Sequence, residues 1–205
     1  MKMNTEFDMA VIGGGSGGYA AARTATAAGK KVVVIDGADE LGGLCILRGC
    51  MPSKALIESA NRNLVVREAA KFGIEVPSSN VNTATVIERK RRLIKEFSDY
   101  RSEQLQDGRF ELIRGHAEFT DSHTLDVQLV DGGSATVTAK TFIVATGSSV
   151  FVPNIPGLNE HGYLTSDDVL DMADTPDSLV VLGGGAIALE MAHYFEAIDK
   201  EVTVI

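Results

Sequence analysis

Apolar residues occur in short blocks set off by glycine and by longer polar, helix-spaced stretches. Phe7 to Ile12 is a short apolar block, read as a buried strand, and glycines follow at 13, 14, 15, 17 and 18. Tyr19 to Ala28 is alanine-rich, with the small side chains of a helix packed close to a sheet, and Gly29 suits its left-handed cap. Lys31 to Ile35 is a β-branched strand that ends at Asp36. Strand, glycine turn, helix, strand and acid thus follow within about 30 residues.

The block returns. Leu179 to Leu182 reads as a strand, Gly183 to Gly185 as a turn, Ala186 to Ile198 as a helix and Val202 to Ile205 as a strand. An offset of 170 superimposes the copies without a gap, pairing Gly13 with Gly183, Gly15 with Gly185, Gly29 with Asp199 and Ile35 with Ile205. Asp at a helix cap is tolerable because it enters the left-handed region more readily than most residues. The partner of Asp36 would be position 206. A stop inside a core strand reads as the N-terminal part of something longer.

Between the copies, Ser53 to Phe72 and Thr83 to Gln106 have helical spacing. The run Arg89-Lys90-Arg91-Arg92 in the second reads as a solvated face rather than a phosphate patch. Phe110 to Phe119, Thr124 to Val130 and Ala135 to Lys140 are strand-like, with Asp131-Gly132-Gly133-Ser134 as a hairpin turn between the last two. Thr141 to Ala145 is a further strand leading into Thr146-Gly147-Ser148, and Pro153, Pro156 and Gly157 mark a boundary. The fold class is α/β. It comprises a dinucleotide-binding domain over 1–150 with inserted helices and a β-meander, then the start of a second such domain over 151–205.

Composition narrows the function. The 205 residues carry a formal net charge of −9, which repels phosphate backbones and anionic lipid and argues against nucleic-acid and membrane partners. No apolar run approaches the roughly 18 residues of a membrane helix, and the first residues have no signal-peptide pattern, so a cytoplasmic location is expected. Two cysteines cannot staple a secreted scaffold, and without further Cys or nearby His they are too few for a structural zinc site, so no metal is expected.

In Gly13-x-Gly15-x-x-Gly18 the first glycine permits the tight turn, the second admits a pyrophosphate and the third lets helix and strand touch. The helix start offers free N–H groups to the phosphates, and Asp36 stands where a carboxylate takes ribose hydroxyls. Gly183-x-Gly185-x-x-Ala188 is the variant with alanine third. Two such folds imply two dinucleotides and electron transfer between them. The competing readings are a ligand-free glycine turn and a degenerate second copy.

The cysteines lie in Gly42-Gly43-Leu44-Cys45-Ile46-Leu47-Arg48-Gly49-Cys50-Met51-Pro52-Ser53-Lys54. They are open to two readings, unrelated buried thiols or a redox pair. In a regular helix residues five apart exceed about 7 Å at Cα, so a bridge needs a distorted first turn, which Gly49 can supply. Arg48 and a helix N-terminus both favour thiolate.

The run GGLCILRGCMPSKAL resembles the redox-helix signature of the flavoprotein disulfide reductases, the class I pyridine nucleotide-disulfide oxidoreductases. GGGSGG at 13–18, Asp36, ATGS at 145–148 and GGGAIALE at 183–190 follow in that family's order. The resemblance implies Rossmann-type domains for FAD and then for NAD or NADP, with a redox-disulfide helix over 42–72. It also implies a disulfide between Cys45, which exchanges with substrate, and Cys50, which faces the flavin. It implies Lys54 near the flavin, paired with Glu190. FAD would be held by Gly13, Gly15, Ser16, Gly17, Gly18, Asp36, Gly43 and Lys54, by the backbone at His116 and Ala117, and by Thr146, Gly147 and Ser148. NAD(P) would be held by Gly183, Gly185, Ala188 and Glu190. Pro52-Ser53-Lys54-Ala55-Leu56 is most like the dihydrolipoamide dehydrogenase branch, with mercuric and glutathione reductases as alternatives and a flavin-binding module without turnover as the non-enzymatic one. The implied partners are a small disulfide or dithiol substrate or a lipoyl domain, and a second subunit in a homodimer.

Leu44, Leu47, Arg48 and Ala186 depart from the family pattern, which usually has Thr, Asn, an apolar residue and a larger residue at those places. The family's flavin-binding Gly-Asp, interface domain and His–Glu base are expected beyond residue 205, together with the residue that selects NAD or NADP. His123, His161 and His193 fit no catalytic motif.

Overall fold

Two parallel strands, β1 (Asn4–Ile12) and β2 (Val32–Asp36), pair from Met9↔Val32 to Ile12↔Ile35 in the computed structural model, which describes residues 4–205. All five residues of β2 are buried, as in a strand covered on both faces. Val32 and Val34 join Val11, Ala22, Ala25 and Phe110 in one core, and α1 (Ser16–Ala27) lies on that side. Val33 and Ile35 alternate to the other face and join Phe7, Ala10, Leu125, Val127 and Val137. Each Val, Leu, Ile or Phe among them contributes about 1.5–3 kcal/mol by leaving water, and each Ala less.

The meander consists of β3 (Glu111–Asp121), β4 (Thr124–Leu129) and β5 (Ser134–Val144). β3 is parallel to β2 through 111–114 and antiparallel to β4 beyond Gly115, while β5 pairs with both β4 and β1, so the five strands close into a barrel. Gly115 marks the change of partner; a Cβ there would fall 2.5 Å from the Gln128 carbonyl oxygen. The separate strands expected over 135–140 and 141–145 are one. No breaker divides them, β1 pairs with both halves, and Lys140 at the junction reaches Asp8 at 2.7 Å.

Packing divides the chain into two compact units. One holds the residues up to 47 together with 96–149, and the other holds 48–95 with 150–205. The helix expected over 42–72 is two helices, α2 (Gly43–Leu47) and α3 (Cys50–Arg67), followed by a 3₁₀ turn (Ala69–Phe72). The break falls at Arg48-Gly49, where Gly49 leaves helical geometry (φ −131°, ψ −116°). α4 (Thr83–Gln106) crosses the unit boundary.

In the second unit α3 and the start of α4 pack with α6 (Ser166–Val169), β6 (Ser178–Val181), α7 (Ala186–Ala197) and β7 (Glu201–Val204) around Leu56, Ile87, Tyr194 and Phe195, and α5 (Leu158–His161) is a short helix outside that core. The basic run in α4 is a solvated face only in part, since Arg91 and Arg92 are exposed while Lys90 is buried and Arg89 half-buried. Lys90 is 4 % exposed and donates to Asp171 at 2.7 Å, Arg91 reaches the same carboxylate, and Arg89 donates to the Ala55 carbonyl; only Arg92 lacks such a role among them. A long side chain can bury its stem when its charged end finds a partner, here 81 positions away. Among the described residues no helix is long and apolar enough to cross a membrane.

Candidate functional site

The repeat seen in the sequence is a repeat of geometry. Gly13 and Gly183 turn at φ +103° and +104°, and each donates its N–H to the carbonyl of the equivalent residue at the end of the neighbouring segment, Ile35 at 2.8 Å and Ile205 at 2.7 Å. Gly15 and Gly185 are extended N-caps. Gly29 and Asp199 are left-handed at φ +74° and +66°, and the register Met9↔Val32 recurs as Leu179↔Val202. Asp199 tolerates this conformation with its carboxylate held by Arg67 at 3.1 Å and near Asn63.

In the first unit three segments meet at the first turn. A Cβ on Gly18 would lie 1.8 Å from the Gly13 carbonyl oxygen, so α1 sits directly on the turn. A Cβ on Gly13 would strike the Ala145 carbonyl at 2.3 Å, and one on Gly43, itself at φ +74°, would strike the Gly15 Cα at 2.4 Å. Ala145 is tied back by its N–H to the Ile12 carbonyl at 2.8 Å. Gly43 and the 145–147 segment therefore line the glycine loop, with Ser16, Gly17, Thr146, Gly147 and Ser148 exposed. The segment carrying Gly43 is anchored by Ser98, whose buried hydroxyl donates to Glu40 at 2.8 Å and lies 3.3 Å from the Leu41 carbonyl oxygen.

Asp36 is 8 % exposed and accepts from two backbone groups, Gly14 N–H on Oδ2 at 2.7 Å and Ala38 N–H on Oδ1 at 2.9 Å. An ionised carboxylate has about four acceptor positions, so one remains on each oxygen. His116 is exposed with its ring against Gly37, where a Cβ would lie 2.6 Å from Cε1. Ala117 is half-buried in the β3–β4 ladder opposite Val127. Sequence reasoning missed the roles of Gly14 and Gly37; their adjacency to Gly13 and Asp36 was the available signal.

This surface fits a dinucleotide. No side chain among the described residues caps α1, so its first N–H groups stay available to a phosphate, and the space beside Gly17 is open. The α7 start is likewise uncapped, and among the described residues nothing lies within 4 Å of a Cβ built on Gly183, Gly184 or Gly185.

Cys45 is a half-buried thiol in α2, and Cys50 is an exposed thiol at the first position of α3. Pro52 is accommodated in the first turn of α3, where no intrahelical donor is lost. Within the second unit the structure brings Lys54 of α3 into contact with Glu190 of α7, its Nζ donating to Oε1. The Ser53 hydroxyl lies 3.3 Å from Glu190 Oε2 and 3.2 Å from the Cys50 carbonyl oxygen. Nothing in the sequence pattern gave Ser53 this role. Arg48 is two-thirds exposed and 3.8 Å from Asp167. His193 Nε2 lies 2.8 Å from Asn61 Oδ1, and His123 Nδ1 lies 3.2 Å from the Ala139 carbonyl oxygen.

The sequence model of the family described as pyridine nucleotide-disulphide oxidoreductase matches residues 7–205. A mercuric reductase of Bacillus cereus is 36% identical over 203 residues, covering 98% of this chain and 31% of that protein. A dihydrolipoyl dehydrogenase of Chlorobaculum parvum is 37% identical over 204 residues, covering 98% and 43%. Among solved structures, a Cu(II) complex of the HOCl-induced flavoprotein disulfide reductase RclA from Escherichia coli matches with a TM-score of 0.78 at 27% identity, covering 98% of this chain and 42% of that one. The chain thus spans less than half the length of these relatives.

Proposed function

The chain belongs to the pyridine nucleotide-disulphide oxidoreductase family, whose members use FAD and NAD(P)H, and from that premise we propose that the protein carrying it moves two electrons between NAD(P)H and a disulfide or dithiol substrate through Cys45 and Cys50. The preferred substrate class is a dihydrolipoamide-type dithiol, free or on a lipoyl domain, and the working form is a cytoplasmic homodimer. The observation that carries this reading is the duplicated turn geometry, with two cysteines at a broken helix start in the stretch between the copies.

FAD, when bound, supplies reversible two-electron chemistry linking a nicotinamide to a disulfide. The N–H groups at Gly15 to Gly18 and the α1 dipole would hold its phosphates, and the free acceptor positions of Asp36 would take the ribose hydroxyls. The backbone at His116 and Ala117 would receive the adenine, and Gly43, Thr146, Gly147 and Ser148 would stand on the flavin side. Gly183, Gly185 and Ala188 form the corresponding NAD(P) turn. Lys54 holds a positive charge whose direction Glu190 sets.

In the direction of disulfide reduction, the Cys45 thiolate attacks one substrate sulfur, forming a mixed disulfide and releasing the first substrate thiolate. The Cys50 thiolate then attacks the Cys45 sulfur, releasing the second and leaving the Cys45–Cys50 disulfide. The net change is NAD(P)H, a proton and a disulfide giving NAD(P)⁺ and two thiols.

A second reading, reduction of mercuric ion, is favoured by the equal likeness to mercuric reductases. Both readings are tested by NAD(P)H-linked assays of the purified full-length protein with lipoamide, glutathione disulfide and Hg(II), each repeated with Cys45→Ser and Cys50→Ser. Lipoamide turnover lost in both variants is the expected result. Turnover surviving in Cys50→Ser rejects the two-cysteine mechanism, and the absence of turnover with bound flavin leaves a binding module.

A further inference from the structure

Helices α3 and α7 are laced along their length within the second unit. Lys54 and Ser53 meet Glu190, Asn61 meets His193, Asn63 donates to the Ala197 carbonyl at 2.8 Å, and Arg67 reaches Asp199. The partner numbers rise together, so the helices run the same way, and the start of α3 lies beside the start of α7. Asn63 is buried, which fixes the far end of the pair.

The near end has an unequal division of labour. The Lys54–Glu190 pair is open to water, with side-chain exposures of 58% and 35%, and an exposed ion pair alone holds geometry poorly. Lys54 occupies only Oε1 of the carboxylate, and the terminal torsion of a glutamate is broad. Ser53 is 8 % exposed, so its hydroxyl is shielded, and it stands at the other oxygen. The hydroxyl has one proton and two acceptors in reach, the Cys50 carbonyl and Glu190 Oε2. A charged acceptor makes the stronger bond of the two.

We infer that Ser53 is a positioning residue for the nicotinamide half of the reaction: its hydroxyl fixes the Glu190 carboxylate, and through it the Lys54 ammonium, against the first turn of the helix that begins at Cys50. This rests on the function proposed above. The competing account is the common back-bond of a helical serine to its own carbonyl, in which Glu190 is incidental.

The full-length holoenzyme and its flavin-free form are compared for wild type, Ser53→Ala, Ser53→Thr, Glu190→Ala and the double variant Ser53→Ala/Glu190→Ala. Stopped-flow reduction of the flavin by NAD(P)H should slow about tenfold in Ser53→Ala, the loss expected for one hydrogen bond to a charged group. The dissociation constant for NAD(P)H should stay within twofold, and Ser53→Thr should recover most of the rate. In the flavin-free protein, acetylation of Lys54 by acetic anhydride, read by mass spectrometry, should rise about threefold in Ser53→Ala and not in Ser53→Thr. The double variant should match Glu190→Ala in both measurements.

Unchanged Lys54 labelling in Ser53→Ala, or effects that multiply in the double variant, would overturn the inference. If Glu190→Ala itself leaves flavin reduction unchanged, the functional reading fails with it. If Glu190→Ala slows reduction and Ser53→Ala does not, only the role of Ser53 is lost. Alanine is the better helix former, so Ser53→Ala should fold.

Discussion

Gly18 offers the sharpest test of how the first turn is built. A methyl group there would lie 1.8 Å from the Gly13 carbonyl oxygen and 3.2 Å from a Val11 methyl. The obstacle at 1.8 Å is backbone, and it is held in place because Gly13 is bonded to Ile35 on one side and packed on Ala145 on the other. The start of α1 must therefore lift by more than an ångström, which places Gly18→Ala at the upper end of overpacking costs, about 3 kcal/mol. Gain in helix propensity offsets about 1 kcal/mol at most. Hydrogen-exchange mass spectrometry on peptides covering 7–36 reads the opening free energy of this block without requiring the whole protein to melt as one. Protection should fall about 30- to 100-fold, tenfold per 1.4 kcal/mol. The repeat supplies an internal control, because Ala188 stands 170 positions on and already carries that methyl. Ala188→Gly should lower protection of α7 only about fivefold, the ordinary cost of glycine in a helix. If Gly18→Ala changes protection by less than threefold, the close approach of α1 to Gly13 is not what the position requires.

Asp171→Ala should cost about 1–3 kcal/mol in denaturant unfolding, because it strands a nearly buried Lys90 ammonium; Lys90→Met should cost less than about 1 kcal/mol. The partial exposure of Asp171 keeps the first figure below that of a fully buried pair. Burial raises the Asp171 pKa, but the hydrogen bonds from Lys90 and Arg91 outweigh it and hold the group below its ordinary 3.8. Its contribution to stability is thus complete above that value and is lost as pH falls through the lower folded value, so the stability gap between wild type and Asp171→Asn should close on acidification below about pH 4. At Asp199, φ +66° makes Asp199→Gly neutral to stabilising despite loss of the Arg67 contact, whereas Asp199→Val should cost about 1–2 kcal/mol in the same assay.

What the sequence disclosed follows from how local each feature is. The duplicated turn was legible because Gly13, Gly15, Gly29 and their partners 170 positions on impose backbone dihedrals by themselves. The broken helix before Cys50 was half legible: Gly49 announced a distortion, but not that α2 and α3 would part there. Closure of the barrel was not legible, because Gly115 looks like any strand glycine until β2 and β4 are seen on either side of it. The burial of Lys90 was hidden for the same reason, since the charge that permits it belongs to Asp171, far along the chain. Lys54 and Glu190 could be paired in advance only through family resemblance, and Ser53, one residue away, carried no such signal.

The two turns share dihedrals but not surroundings, and that difference bears on how each would hold a ligand. Around the first, Gly43 and Ala145 press against the loop, Gly14 is bonded to Asp36, and α1 rests on Gly13, so the donors at the helix start are fixed before anything binds. Around the second, Gly183 keeps its hydrogen bond to Ile205 at 2.7 Å, and no described residue comes within 4 Å of a Cβ built on Gly183, Gly184 or Gly185. Preorganised donors surrender less conformational freedom on binding than open ones, and that saving appears mainly as slower release. On the proposed function, the fixed donors of the first turn would therefore release a bound dinucleotide slowly.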